Sequence, residues 1–338
     1  MEKTNSFYEQ MLNNYFDYLE KIKEGPIGFY YENIEFLTDL LFSYYSIVEQ
    51  MDIKETKKEY VKEMDYDLLE QVLIKTSSKI VDKYYELEQK NSIEIVYNLE
   101  EGPDRISRYG RDKLILAFGH NYDYLSTIVH ELMHATNTKT DVHKLTPVLL
   151  TEFISIYFEL YAKDVISELG IDKKNISYFS RFKSDMNKLD TKVLIPFLLK
   201  KKYGLISKEN LEKLHNEKHY YDNIEDYDFD SSTSMLCNYI YKDGLDSDKT
   251  KKNMVEASFF SFNPIIYSLG SCLAFYAKKN MTKFDMLELN DTIIKDPDIN
   301  VFDLLSKYNI HFNQDFIDSA ISSIKDYYNL HKSSILNV

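Results

Sequence analysis

From about Thr4 to Lys90 apolar positions recur every three or four residues, as at Phe36, Leu37, Leu40, Leu41, Tyr44 and Ile47. This predicts a run of helices, the first parted from the second at Gly25-Pro26. The period then changes. Ser92 to Tyr97 alternates and Lys113 to Phe118 is a short apolar run, which predicts two strands with a turn at Glu101-Gly102-Pro103 and a basic loop between them. After Gly119 the helical spacing returns. Asn121 or Asp123 is placed to cap a helix reaching about Thr136. Thr146-Pro147 predicts the start of a second helix that runs to Leu169 and stops at Gly170. The same device at Asn263-Pro264 predicts a helix to about Lys278.

Composition agrees with this helical reading. Nine Gly and six Pro in 338 residues are too few for the turns of a short-stranded β fold, so the class is mainly α, with a small β-hairpin or sheet before the helix that ends near Thr136. The expected division is an N-terminal helical lobe over 1–90 and a second region over 91–338. The longest uncharged stretch, Ala257 to Ala277, carries five Ser or Asn residues and Pro264, and reads as a buried helix, not a membrane span. With 41 basic against 55 acidic residues the formal charge is −14, which argues against a nucleic-acid partner. Two cysteines, Cys237 and Cys272, supply no disulfide framework, and no secretory leader is visible, so the expected compartment is cytoplasmic.

Chemistry concentrates at His130-Glu131-Leu132-Met133-His134. Four residues apart on a helix, the two imidazoles project from one face and can grip one ion, with Glu131 beside them as a base. Leu125, Ile128, Val129, Leu132 and Met133 form the apolar side of the same helix. A metzincin would need Gly at 137 and His at 140; this chain has Asn137 and Thr140.

The third ligand is sought on the next helix. Between Val148 and Ala162 its only acids are Glu152 and Glu159, set among apolar residues, so each carboxylate needs a metal or a hydrogen-bonding partner. They share a face but stand about 10.5 Å apart along the axis, so one ion does not take both. Glu152 is preferred as the ligand. Glu159 then becomes an acid that orients a ligating His, or alternatively the partner of a buried Lys.

Two His, one Glu and an open fourth position make a catalytic type of zinc site, since structural sites usually close with four protein ligands. Glu131 would serve as general base toward water and then as proton donor to a leaving amine. An oxyanion needs a further donor. Tyr267 is the first candidate and Tyr276 the second.

These residues resemble a known family. His130 to His134, Thr151-Glu152-Phe153-Ile154-Ser155, Glu159 and Asn263-Pro264-Ile265-Ile266-Tyr267-Ser268-Leu269-Gly270 are similar to the oligoendopeptidase F and thimet oligopeptidase family. Val301 to Leu305 and Phe316 to Ala320 resemble its closing helices. The resemblance implies a zincin-like metallopeptidase, a gluzincin, with two helical lobes around a channel that admits short peptides. It also implies Zn2+ bound by His130, His134 and Glu152, with Glu131 and Tyr267 catalytic. Met133 stands where the family usually has Gly, and the His that usually precedes the late tyrosine is absent from Ser258 to Phe262. His215 and His219 are the possible substitutes. These departures motivate an alternative: a protein of the same fold that binds zinc without efficient hydrolysis.

Three of the four arginines, Arg105, Arg108 and Arg111, precede the motif helix. One could hold a peptide carboxylate while Leu114 to Phe118 pairs with a substrate backbone. Asp226, Asp228 and Asp230 have the spacing of a calcium loop but lack its Gly and its final Glu, and read as a solvated loop.

Overall fold

The computed structural model describes residues 2–21, 32–51, 64–97, 107–110, 113–118, 122–137, 145–179, 191–217, 229–230, 237–238, 240–241, 248–296 and 299–336. The first helices are α1 (Glu2–Lys21), α2 (Ile34–Gln50), α3 (Tyr66–Thr76) and α4 (Ser78–Gln89). Three strands follow, β1 (Ile93–Tyr97), β2 (Ser107–Gly110) and β3 (Lys113–Phe118). The chain then forms α5 (Asp123–Thr136), α6 (Leu145–Glu168), α7 (Thr191–Tyr203) and α8 (Lys208–His215). It ends with α9 (Asp248–Asn280), α10 (Lys283–Lys295), α11 (Val301–Ser306) and α12 (Gln314–Leu336). The mainly helical class is therefore observed. Among the described residues no helix is long and apolar enough to cross a membrane.

The chain packs as two compact units, each drawn from separated stretches. One comprises Met1–Ser46 and Asp185–Ser268, the other Ile47–Ser184 and Leu269–Val338. In the first, α1 buries Leu12 and Phe16, and Phe16 meets Phe197 of α7 edge to face at 4.3 Å. Buried Asn13 accepts from the Ile206 amide at 2.9 Å and donates to its carbonyl at 3.0 Å, so no polar group is stranded there.

The second unit contains the sheet and the motif helix. Strand order is β1-β3-β2, with β1 parallel and β2 antiparallel to β3. The two expected strands are present, and a third, β2, occupies part of the expected basic loop. β3 is thus central: Leu116 lies opposite Ile95 on one side and Ser107 on the other. From Leu114 to Leu116 both its edges are occupied by chain, so that part of the strand offers no free edge to a substrate backbone, contrary to expectation.

Helix starts also differ from those expected. α5 is capped by Tyr122, without a side-chain cap bond, and the Asp123 carboxylate instead accepts from the Ser177 amide at 2.9 Å. α6 begins at Leu145, before Thr146-Pro147, so Pro147 still lies in the first turn, where its missing N–H has no helical partner to lose. Its other end behaves as expected: Gly170 takes a left-handed φ of 98°, and the Ile171 amide bonds back to the Ile166 carbonyl at 3.4 Å. Asn263-Pro264 lies inside α9, which begins at Asp248. Proline deletes one helical hydrogen bond, and a sufficiently long helical pattern on both sides can absorb that loss. Gly25-Pro26, Glu101 to Pro103, Arg105, Arg111, Asn121, Thr140, His219, Asp226 and Asp228 lie outside the described residues.

Candidate metal centre

α5 packs against α6 and against β2 and β3. Its inward side buries Leu125, Ile128, Val129, Leu132 and Met133, and this burial sets the rotation of the helix. The rotation carries His130 and His134 toward α6. α6 has no exposed face along its middle, since every residue from Thr151 to Leu160 is buried, the polar Glu152, Ser155 and Glu159 included.

Three side chains converge there. Nε2 of His130 and Nε2 of His134 are 3.0 Å apart, with the rings 4.7 Å between centroids and inclined at 75°. Glu152 places one oxygen 3.2 Å from His134 Nε2 and the other 3.7 Å from His130 Nε2. The buried group His130, His134 and Glu152 could hold a metal ion. Tetrahedral N and O ligands at about 2.0–2.1 Å from zinc lie about 3.3 Å from one another, and the three observed separations bracket that value. Side-chain exposures of 2% for His130, 11% for Glu152 and 21% for His134 leave the His134 side the most open.

Glu159 approaches from behind. Its Oε2 lies 3.2 Å from Nδ1 of His130, the ring nitrogen not directed at His134. A carboxylate at Nδ1 holds the proton on that nitrogen and leaves Nε2 with a lone pair for a cation. Its Oε1 lies 3.2 Å from Nζ of Lys163, one turn further along α6. The two roles considered for Glu159, orienting a histidine and pairing with a buried lysine, are therefore both filled at once.

Two features secure the helix pair. Gly270 of α9 sits where an added Cβ would lie 3.4 Å from the Phe153 amide nitrogen and 3.6 Å from Glu152 Cβ, so the absence of a side chain lets α9 approach the Glu152 backbone closely. At the end of α5, buried Asn137 donates to the carboxamide oxygen of Asn290 on α10, and Asn290 donates to Thr136 at 3.3 Å.

Glu131 is partly buried on α5, beside His130 in sequence. Tyr267 is partly buried on α9, within the stretch assigned to the first unit. Tyr276 packs its ring against Phe316 at 5.1 Å. His215 ends α8 in the first unit. Lys163 escaped the sequence reading, although a signal was present: a lone lysine four residues after Glu159 in an apolar helix must find a buried partner.

No protein-family model, curated protein or solved structure matches this chain.

Proposed function

We propose that the protein is a zinc-dependent metallopeptidase that hydrolyses short peptides, in the manner of the oligoendopeptidase F and thimet oligopeptidase family its motifs resemble. The observation that carries this reading is the convergence of His130, His134 and Glu152, with Glu159 on the far nitrogen of His130. Zinc, when bound, supplies Lewis acidity toward water and toward a peptide carbonyl. Around it the protein's groups divide the work. His130 and His134 contribute neutral lone pairs and Glu152 one negative charge, so the cation keeps net positive charge for an incoming oxygen. The Glu131 carboxylate takes a proton from water during attack and delivers it to the departing amine nitrogen. Tyr267 is proposed as the further donor to the developing oxyanion.

Support for a catalytic type of centre comes from the donor count among the described residues, three protein ligands where a structural site has four. The test is twofold. Metal analysis of untagged protein is expected to give one zinc per chain. Wild type is expected to cleave a mixed peptide pool in a chelator-sensitive way, with Glu131→Gln slower by at least about a hundredfold. Stoichiometric zinc with no cleavage by either protein would favour the alternative, a zinc-binding protein without hydrolysis, consistent with Met133 and the missing histidine before Tyr267. Absence of zinc after reconstitution would end both readings.

A further inference from the structure

We infer that Lys163 is a positioning residue of the metal centre: its ammonium holds one oxygen of Glu159 so that the other is presented to Nδ1 of His130. The inference rests on the metal-binding reading above and adds to it a residue that touches none of the proposed ligands.

Lys163 has a side-chain exposure of 2%, on a helix that buries the apolar Leu160, Ala162, Val165 and Ile166 around it. A buried ammonium is costly unless its protons are matched, and a helix needing only packing would carry a leucine or methionine there. Two acceptors meet it, Glu159 Oε1 at 3.2 Å and the Ser177 carbonyl at 2.9 Å. The Glu159 carboxylate is consequently split between two demands. Its other oxygen, 3.2 Å from His130 Nδ1, cannot turn away without also breaking the Lys163 pair.

The Ser177 peptide extends this constraint. Its carbonyl accepts from Lys163, while its amide donates at 2.9 Å to Asp123 in the first turn of α5. A closed circuit results, from Asp123 through Ser177, Lys163 and Glu159 to His130, which returns to α5 seven residues, or about 10.5 Å, further on. Contacts at two levels of α5 restrict both its sliding and its rotation against α6. The ring of His130 is thus held from behind by a network whose pivot is the Lys163 ammonium.

The test is zinc affinity by chelator competition, with cobalt substitution as a spectroscopic readout of ligand geometry. Lys163→Met, which keeps the apolar stem, is expected to weaken zinc binding about tenfold or more and to alter the visible cobalt spectrum. Lys278→Met removes the 2.7 Å ion pair to Asp164, the residue next to Lys163, and is expected to leave both readouts unchanged. Because Lys163→Met leaves Glu159 buried without its cation and could fold poorly, Lys163→Met/Glu159→Gln is measured as well. If Lys163 acts through Glu159, the double variant binds zinc no more weakly than Glu159→Gln alone. Wild-type affinity in Lys163→Met, or additive losses in the double variant, would overturn the inference while leaving the metal reading intact. A wild type that takes up no zinc would overturn both.

Discussion

Glu159 and His130 come from different helices, yet a carboxylate oxygen of one lies 3.2 Å from Nδ1 of the other, while the opposite ring nitrogen of His130 lies 3.0 Å from His134. One imidazole thus connects a purely protein partner on one side with a cluster of donor atoms on the other. Replacing the acid by an amide keeps the shape and removes the charge. Glu159→Gln is expected to retain the fold and to lose about 10- to 100-fold in zinc affinity, read by competition with a coloured chelator.

Glu152 contributes to the cluster directly, and its loss should be more severe. Glu152→Ala or His134→Ala is expected to abolish stoichiometric zinc. Wild type should gain stability from added metal, about 2.7 kcal/mol at a free concentration one hundred times Kd, and Glu152→Ala should gain none. Thermal melts with and without zinc check this. A melting temperature of wild type that ignores zinc would contradict the assignment.

The close approach at Gly270 gives a graded steric prediction. A methyl group would just reach contact with the Phe153 amide and Ile156, both at 3.4 Å, so Gly270→Ala should be nearly neutral, its helix propensity offsetting the tight fit. Gly270→Leu adds three more carbons beyond a Cβ already in contact with Ile156, Phe153 and Glu152 of α6. It is expected to cost about 1–3 kcal/mol in denaturant unfolding and to weaken zinc binding in the same protein.

His331 supplies the pH dependence. It stacks on Tyr178 at 3.8 Å, faces Tyr327 at 4.5 Å and lies 3.5 Å from Asp164. Burial, reinforced by the charges of Lys173 and Lys278, pushes the imidazole down to about 4 from an ordinary 6.5. The unfolded chain therefore binds this proton more readily than the native one between pH 6.5 and 4. Stability is full above about 6.5 and declines as the pH falls through that window. Other acids titrate nearby, so the contrast with His331→Phe, which keeps a ring on Tyr178, isolates the effect. The difference in melting temperature between the two proteins should change between pH 7 and pH 4, in favour of the variant at the acid end.

The spacing of His130 and His134 on one apolar-backed helix was legible because helical geometry is local: four residues return a side chain to the same face whatever lies beyond. The sites of β1 and β3, the course of α6 and the stop at Gly170 were legible for the same reason, each depending on a few neighbouring residues. That Glu152 and Glu159 are buried followed from the apolar run around them. Which surface each carboxylate meets did not, since it depends on how α6 packs against a helix distant in sequence. Tertiary packing alone decided that Glu159 divides itself between His130 and Lys163, that β2 closes the second edge of β3, and that α9 passes through Pro264 to bring Gly270 against Glu152. Such pairings are set by the shapes and polar needs of surfaces brought together by the whole fold, and no short window of sequence contains both partners.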